Sequence, residues 1–299
     1  MSDHQPFVLL QKSEAPDGLR WAPGIAVRYA DIGGVRLRYI CTGQGPALVL
    51  LHTLRTQLDI FELMVPALAA HFTVYALDYP GHGFSDAPAA RYDAAFFAAA
   101  VSGFLDRLDL RDATLAGISI GGVIPLLLSA RGHPRIGRIV SINPYDYTGG
   151  LGLARSSPLG AVVTYTALIP ILGEIVIPAA PRWLVRLVLE GGVADRKNLP
   201  AALSDDIYRA GQRPGAAPAF LKLLRNARGW SEAQREYGKV AHPVLLIWSD
   251  RDWSRAKERA QTAALIPGVE VKLVPRGGHF LSLDQPQEVA RLINGFARR

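Results

Sequence analysis

The sequence predicts an α/β fold: a mainly parallel central sheet with helices on both faces, plus an inserted helical segment. Three observations predict it. Strand-like and helix-like runs alternate from about Ile25 to Ile142. Between Tyr147 and about Lys239 the alternation stops, and the chain turns helical in tone, punctuated by Pro158, Pro170, Pro178, Pro181, Pro200, Pro214 and Pro218. The alternation then resumes from Val244 to the end. Interleaving of this kind places crossover helices over a sheet of parallel strands. The expected organisation is a core of residues 1–146 and 240–299, with a helical lid inserted at 147–239.

The elements follow in order. An apolar run near Ile25 and a second at Val35 to Ile40 flank Asp31-Ile-Gly-Gly34, the signature of an antiparallel hairpin at a sheet edge. Ala47 to Leu51 reads as a strand, Phe61 to Ala70 as a helix, and Phe72 to Leu77 as a strand. Ala94 to Leu108 is helical, Asp112 to Ala116 is a short buried strand, Ile120 to Ala130 is a helix, and Ile136 to Ile142 is the next strand. After the insertion come strand Val244 to Ile247, helix Arg255 to Ala264, strand Val269 to Val274 and helix Glu288 to Phe296. Within the insertion, Ser156 to Gly173 carries no charge and holds Leu159, Val162, Val163, Tyr165, Leu168, Ile169 and Leu172. Pro170 and Glu174 end this run too early for a bilayer span. It reads as a lid helix whose apolar residues face a pocket.

Thr114-Leu-Ala-Gly-Ile-Ser-Ile-Gly-Gly-Val123 puts a small-residue turn between an apolar strand and an apolar helix. A serine hydroxyl attacks a carbonyl only when it is exposed, oriented and paired with a base. A sharp strand-to-helix turn supplies the first two conditions, with Ser119 at its tip and glycines admitting neighbouring backbone. Among the histidines, His4, His71, His133 and His242 read as tail or turn residues. His279, in Pro275-Arg-Gly-Gly-His-Phe-Leu281, follows a strand and paired glycines, where a loop brings an imidazole back over a sheet. A carboxylate from the end of another strand should hold that imidazole's tautomer. Ser249-Asp-Arg-Asp-Trp253 offers Asp250 and Asp252, the latter also a turn residue placed to cap the following helix.

Taken together, Leu50-Leu-His-Thr-Leu54, Asp78-Tyr-Pro-Gly-His-Gly-Phe-Ser85, Gly117-Ile-Ser-Ile-Gly121 and Trp248-Ser-Asp-Arg-Asp252 with Gly277-Gly-His279 resemble, in order and spacing, the lid-bearing members of the α/β-hydrolase superfamily. The resemblance runs over nearly the whole chain. It implies a catalytic set of Ser119, Asp252 and His279, with Asp250 and then Asp146 as alternative acids. It implies an oxyanion hole from the backbone N–H groups of Ile120 and Leu54. Relatives usually carry glycine where this chain has Thr53, and a Thr does not readily take positive φ. The Asp78 to Ser85 loop reads as structural, with His82 off the reacting centre. Arg55 and Phe280 are candidate substrate-binding residues. For Arg55 the competing expectation is a surface pair with Asp59, four residues on.

The activity implied is that of a serine hydrolase, carboxylesterase-like, acting on a small-to-medium, largely apolar ester. Haloalkane dehalogenases and epoxide hydrolases of the superfamily carry aspartate at the elbow, which sets them apart from Ser119. Carbon–carbon bond hydrolases of ring-cleavage products share the serine triad but usually carry Trp where this chain has Phe280. Perhydrolase chemistry and a slow-turnover, receptor-like ligand-binding role also share the set.

Composition narrows the rest. Over 299 residues, 49% are hydrophobic and 20% charged, which suits a packed core. A lone Cys41 excludes an intramolecular disulfide. No Cys/His spacing suggests a metal, and no phosphate-cradling glycine pattern suggests a nucleotide, so no cofactor is expected. The net charge of +7 is scattered and accompanies no nucleic-acid-binding motif. The first ten residues lack signal-peptide architecture, giving a cytoplasmic expectation. Peripheral membrane contact through Trp183 and Leu184 is a secondary expectation. Oligomeric state is not encoded legibly.

Overall fold

The computed structural model describes residues 18–299; the N-terminal reading, His4 included, lies outside them. Eight strands form one sheet: β1 (Val27–Ile32), β2 (Val35–Thr42), β3 (Ala47–Leu51), β4 (Thr73–Leu77), β5 (Ala113–Ile118), β6 (Ile136–Ile142), β7 (Val244–Ser249) and β8 (Glu270–Val274). Their spatial order is β1-β2-β4-β3-β5-β6-β7-β8. β1 and β2 form the edge hairpin, with Val27 opposite Ile40 and the turn on Gly33 and Gly34 at φ 62° and 87°. β2 meets β4 antiparallel, and every pair from β4 to β8 is parallel. All six residues of β5 are buried, as expected of a central strand covered on both faces.

The order reverses between β3 and β5: the chain leaves β3 for β4 on one side and returns to β5 on the other. Such a switch opens a crevice beyond the carboxyl ends of the two strands. Leu51 of β3 lies beside Gly117 of β5, so the segments leaving both strands start side by side. The segments after β7 and β8 rise from the same edge.

Phe61 to Ala70 is not one helix. It divides into a 3-10 turn, Leu58–Phe61, and a short helix, Val65–Ala69, with Pro66 in its first turn. Proline's missing amide and fixed ring suit a helix start and disfavour a helix that runs through from the preceding turn. The segment between β6 and β7 is wholly helical, including Pro158–Leu168, Leu172–Val176, Arg182–Glu190, Ala201–Gly211 and Ala216–Arg225. The uncharged run inside it departs from the expected orientation. Val163 lines a cavity, but Val162, Tyr165, Ile169, Ile171 and Leu172 face solvent. The proline at 170 breaks the run after three turns, so one apolar face cannot be kept inward throughout. No helix among the described residues is long and apolar enough to cross a membrane.

Candidate active site

Ser119 occupies the turn between β5 and the helix Ile120–Ala130, at φ 63° and ψ −120°. A side-chain-bearing residue is strained there, and the strain persists only because the surroundings fix it. Its N–H donates to Ile142 O at 2.9 Å, and its carbonyl accepts from Gly122 N at 2.9 Å and Tyr145 N at 3.2 Å. The flanking glycines are forced by contact. A Cβ on Gly117 would lie 1.9 Å from Gly121 O, and one on Gly121 would lie 2.2 Å from Leu51 O. Ser119 is fully buried, and its Oγ has no hydrogen-bond partner.

His279 and Asp252 meet beyond the ends of β8 and β7, with Nδ1 2.6 Å from Oδ1 and both side chains fully buried. The second carboxylate oxygen of Asp252 accepts from Ser254 N at 2.9 Å. The aspartate therefore caps its own turn and orients the histidine at once, one oxygen for each. With Nδ1 as donor to Asp252, Nε2 carries a free lone pair, and it too has no hydrogen-bond partner. Ser119 and His279 rest against one segment: Tyr145 N donates to Ser119 O, the Tyr145 ring lies 6.1 Å from the imidazole, and Asn143 Nδ2 donates to His279 O at 3.2 Å.

The alternative acids are elsewhere. Asp250 accepts from Gly277 N at 3.2 Å and so braces the turn before His279. Asp146 is buried against the Thr262 hydroxyl at 3.1 Å. Burial pushes its carboxyl up to about 7, with Thr262 acting in the opposite direction. An unfolded aspartate releases its proton near 3.9, so the folded state holds the extra proton between about 4 and 7. Its contribution to stability is full below that window and is lost as pH rises through it. Asp146→Asn is therefore expected to raise Tm relative to the parent at pH 8 and not at pH 4. Equal Tm differences at both pH values, by calorimetry, would contradict this.

The segment after β3 is organised by His52. Its Nε2 accepts from Tyr79 N at 3.1 Å, which leaves Nδ1–H to donate to Thr53 O at 2.7 Å. Burial pushes this imidazole down to about 3, so it acts as a neutral spacer. The conformational demand expected at Thr53 falls two residues later, on Arg55 at φ 56°. Neither Leu54 nor Ile120 has an acceptor for its N–H among the described residues. That is the geometry an oxyanion would use, since the first amide of a helix has no intrahelical acceptor.

The expected Arg55–Asp59 pair does not form. Asp59 accepts instead from Trp21 Nε1, Gln57 Nε2 and Arg38 Nη1, at 2.7, 2.7 and 3.1 Å. The left-handed backbone at 55 turns that side chain inward onto the Phe220 ring, 4.7 Å away. Asp78 holds its loop as expected, accepting from Leu58 N at 2.7 Å and Phe84 N at 2.8 Å. His82 lines a cavity with Arg55, but burial pushes its imidazole down to about 3 and its ring donates to Pro80 O. Phe280, expected as a pocket residue, is engaged otherwise. Its ring fills the space that a Cβ on Gly192 would enter, and its N–H donates to Gly192 O at 2.7 Å.

Three residues escaped sequence reasoning. Trp253 stacks on His279, centroids 3.7 Å apart and 11° from parallel, and its Nε1 donates to Gly191 O at 2.8 Å. Asn143 ties the β6 end to Ser249 and the His279 loop. Asp284 accepts from Gly278 N and Ala194 N, and from Asn198 Nδ2. Thus the histidine loop and residues 191–198 of the insertion are fastened together. The glycine pairs 191–192 and 277–278 were the available signal, for a Cβ on Gly278 would lie 2.7 Å from Gly192 O. Among the described residues, no group of three or more His, Cys, Asp or Glu is placed to hold a metal ion.

Comparison with known proteins bears on the family and the fold. A 2-(acetamidomethylene)succinate hydrolase of Mesorhizobium japonicum is 27% identical, over 90% of this chain and 94% of its own. A 2-hydroxy-6-oxo-2,4-heptadienoate hydrolase of Pseudomonas putida is 26% identical, over 92% and 94%. The crystal structure of Cfl2 from Burkholderia cenocepacia superposes with a TM-score of 0.82 at 22% identity, covering 94% of this chain and 98% of that one. The family profile described as alpha/beta hydrolase fold matches residues 46–286. With the reversed strand order, the serine at the switch point and the histidine after the last strand, this chain belongs to the α/β-hydrolase fold family.

Proposed function

We propose that the chain is a serine hydrolase that cleaves a small, largely apolar carboxylic ester through an acyl-enzyme on Ser119. Two observations carry this reading: a strained, buried Ser119 whose Oγ has no partner, and an imidazole whose Nδ1 is fixed by Asp252 and whose Nε2 is free, both resting on the Asn143–Tyr145 segment. Ser119 Oγ attacks the carbonyl carbon and passes its proton to His279 Nε2. Asp252 stabilises the imidazolium, and the Leu54 and Ile120 amides stabilise the alkoxide. Collapse expels the alcohol, which takes the proton from Nε2. Water then gives a proton to Nε2 and attacks the acyl carbon, and the proton returns to Ser119 as the acid leaves.

The helical insertion serves as the lid. It is fastened around His279 by three bonds, Phe280 N to Gly192 O, Trp253 Nε1 to Gly191 O and Ala194 N to Asp284, so a shift of the lid would carry the imidazole's surroundings with it. Carbon–carbon bond hydrolysis is the second reading, favoured by the relative named for a heptadienoate substrate. Hydrolysis of p-nitrophenyl esters of graded chain length, by wild type and Ser119→Ala, tests the proposal. Turnover is expected on short esters and a loss of about 10^6-fold in kcat in the variant. Ester turnover that survives in Ser119→Ala would sink the acyl-enzyme, and a folded wild type inert on every ester would favour the second reading.

A further inference from the structure

Two inward-turned arginines in this fold have opposite environments. Arg38 lies between Asp59 and Asp78, with Nη1 3.1 Å from a carboxylate oxygen of each. Arg55 is partly exposed as a residue, but its Nη1 is buried without a hydrogen-bond partner, and it forms no ion pair among the described residues. Burial alone acts on it, pushing the guanidinium down to about 10, so it stays charged at neutral pH. A buried N–H end without an acceptor is costly, and an anion bound there would supply one.

The surroundings define the anion's company. Two cavities meet at this side chain, and Arg55 and Phe220 are the residues they share. One is a narrow crevice of mixed lining, with Thr56, Gln57 and His82 facing Ile207, Ala210 and Ala216. The other holds about 60 Å³ and, apart from Arg55, is lined entirely by apolar residues, among them Val163, Val185 and Leu189. That volume suits a fragment of a few heavy atoms. Gly211 permits the approach of the fork, since a Cβ there would sit 3.2 Å from Nη2. Along the chain, Arg55 directly follows Leu54, the proposed oxyanion donor, so one short segment after β3 presents both the amide and the guanidinium.

We propose that Arg55 forms a carboxylate-binding subsite of the reacting centre, and that the substrate is a short aliphatic acid bearing the scissile acyl group a few carbons from its carboxylate. A planar guanidinium grips a carboxylate through two parallel N–H donors, and contact with the Phe220 ring restricts the motion of this one. The inference rests on the hydrolase reading for its location, and its binding component can be tested without turnover.

The experiment compares p-nitrophenyl hydrogen glutarate with methyl p-nitrophenyl glutarate, its neutral counterpart, on wild type, Arg55→Met and Arg55→Lys. Wild type is expected to prefer the anionic ester in kcat/KM. That preference should fall by about 30-fold or more in Arg55→Met, chiefly through KM, and recover in part in Arg55→Lys. In parallel, free glutarate should raise the Tm of wild type and of Ser119→Ala but not of Arg55→Met. Loss of hydrolysis as a class, with the glutarate shift retained, would overturn the ester reading and leave the subsite standing. No preference for the anionic ester in wild type, or a glutarate shift that survives in Arg55→Met, would overturn the subsite. Should Arg55→Met fail to fold, the wild-type preference and Arg55→Lys decide the matter alone.

Discussion

Asp252→Asn is expected to lower kcat by about 10^4-fold, the size found when the matching carboxylate of a serine protease becomes an amide. The hydrogen-bond network dictates how the amide would sit. Ser254 N–H needs an acceptor and takes it from one Asp252 oxygen at 2.9 Å, so the amide oxygen turns to Ser254. The NH2 group then faces His279 Nδ1, where the second oxygen stood at 2.6 Å. An N–H donor there forces Nδ1 to accept, which moves the ring proton to Nε2. An Nε2–H cannot take the serine proton, so the base is lost although every heavy atom keeps its place. The protein should therefore melt within a few degrees of the parent. Asp250→Asn leaves one acceptor oxygen for the backbone N–H groups of Arg276 and Gly277 and at most weakens that brace, so kcat is expected to stay within about tenfold, in the range of a lost peripheral hydrogen bond. If Asp250→Asn proved the inactive variant and Asp252→Asn the active one, the acid would have been assigned to the wrong carboxylate.

The architecture was legible because its signals are local. Alternating runs announce crossover units, and proline spacing announces short helices, so the sheet and the insertion follow from patterns read a dozen residues at a time. Ser119 and His279 were legible for a related reason: each sits at a strand end next to glycines whose only use is close approach. Choosing Asp252 over Asp250 needed the resemblance, since two residues of spacing carry no information on which side chain turns toward a loop 27 residues away. What stayed hidden is chemistry made by contact between distant segments. Nothing near Trp253 says that it lies flat on His279 and is anchored to Gly191. Nothing near Arg55 says that Asp59 will be taken by Trp21, Gln57 and Arg38, leaving the guanidinium to turn inward. The competition for Asp59 is decided by β2, which brings Arg38 beneath it, and a helical i, i+4 rule cannot see that competitor.

The elbow's packing carries the second large effect. Gly121→Ala is expected to lower Tm by about 6 °C or more, or to abolish soluble expression, because the added Cβ meets backbone on a fully buried face. It would lie 2.2 Å from Leu51 O, 2.7 Å from Leu51 C and 2.8 Å from His52 O. Neither partner has a flexible end that can move aside, for Leu51 is hydrogen-bonded within the sheet and His52 is fixed by Tyr79 and Thr53. Ordinary overpacking costs about 1–3 kcal/mol, and backbone meeting backbone belongs at or above the top of that range. At 2–4 °C per kcal/mol for a chain approaching this size, the Tm loss follows. Gly122→Ala makes the informative comparison. Its Cβ would meet chiefly the Ser141 hydroxyl at 2.9 Å, a rotatable group, so the loss there should be several-fold smaller. Any folded Gly121→Ala should also lose turnover beyond its loss of stability, since relief of the clash pushes the elbow away from the segment that presents Leu54. A Gly121→Ala protein with wild-type Tm and wild-type kcat would mean that the nucleophile turn and the end of β3 do not sit in contact. The oxyanion pair of Ile120 and Leu54 would then fall with that contact, since it depends on those two backbones lying side by side.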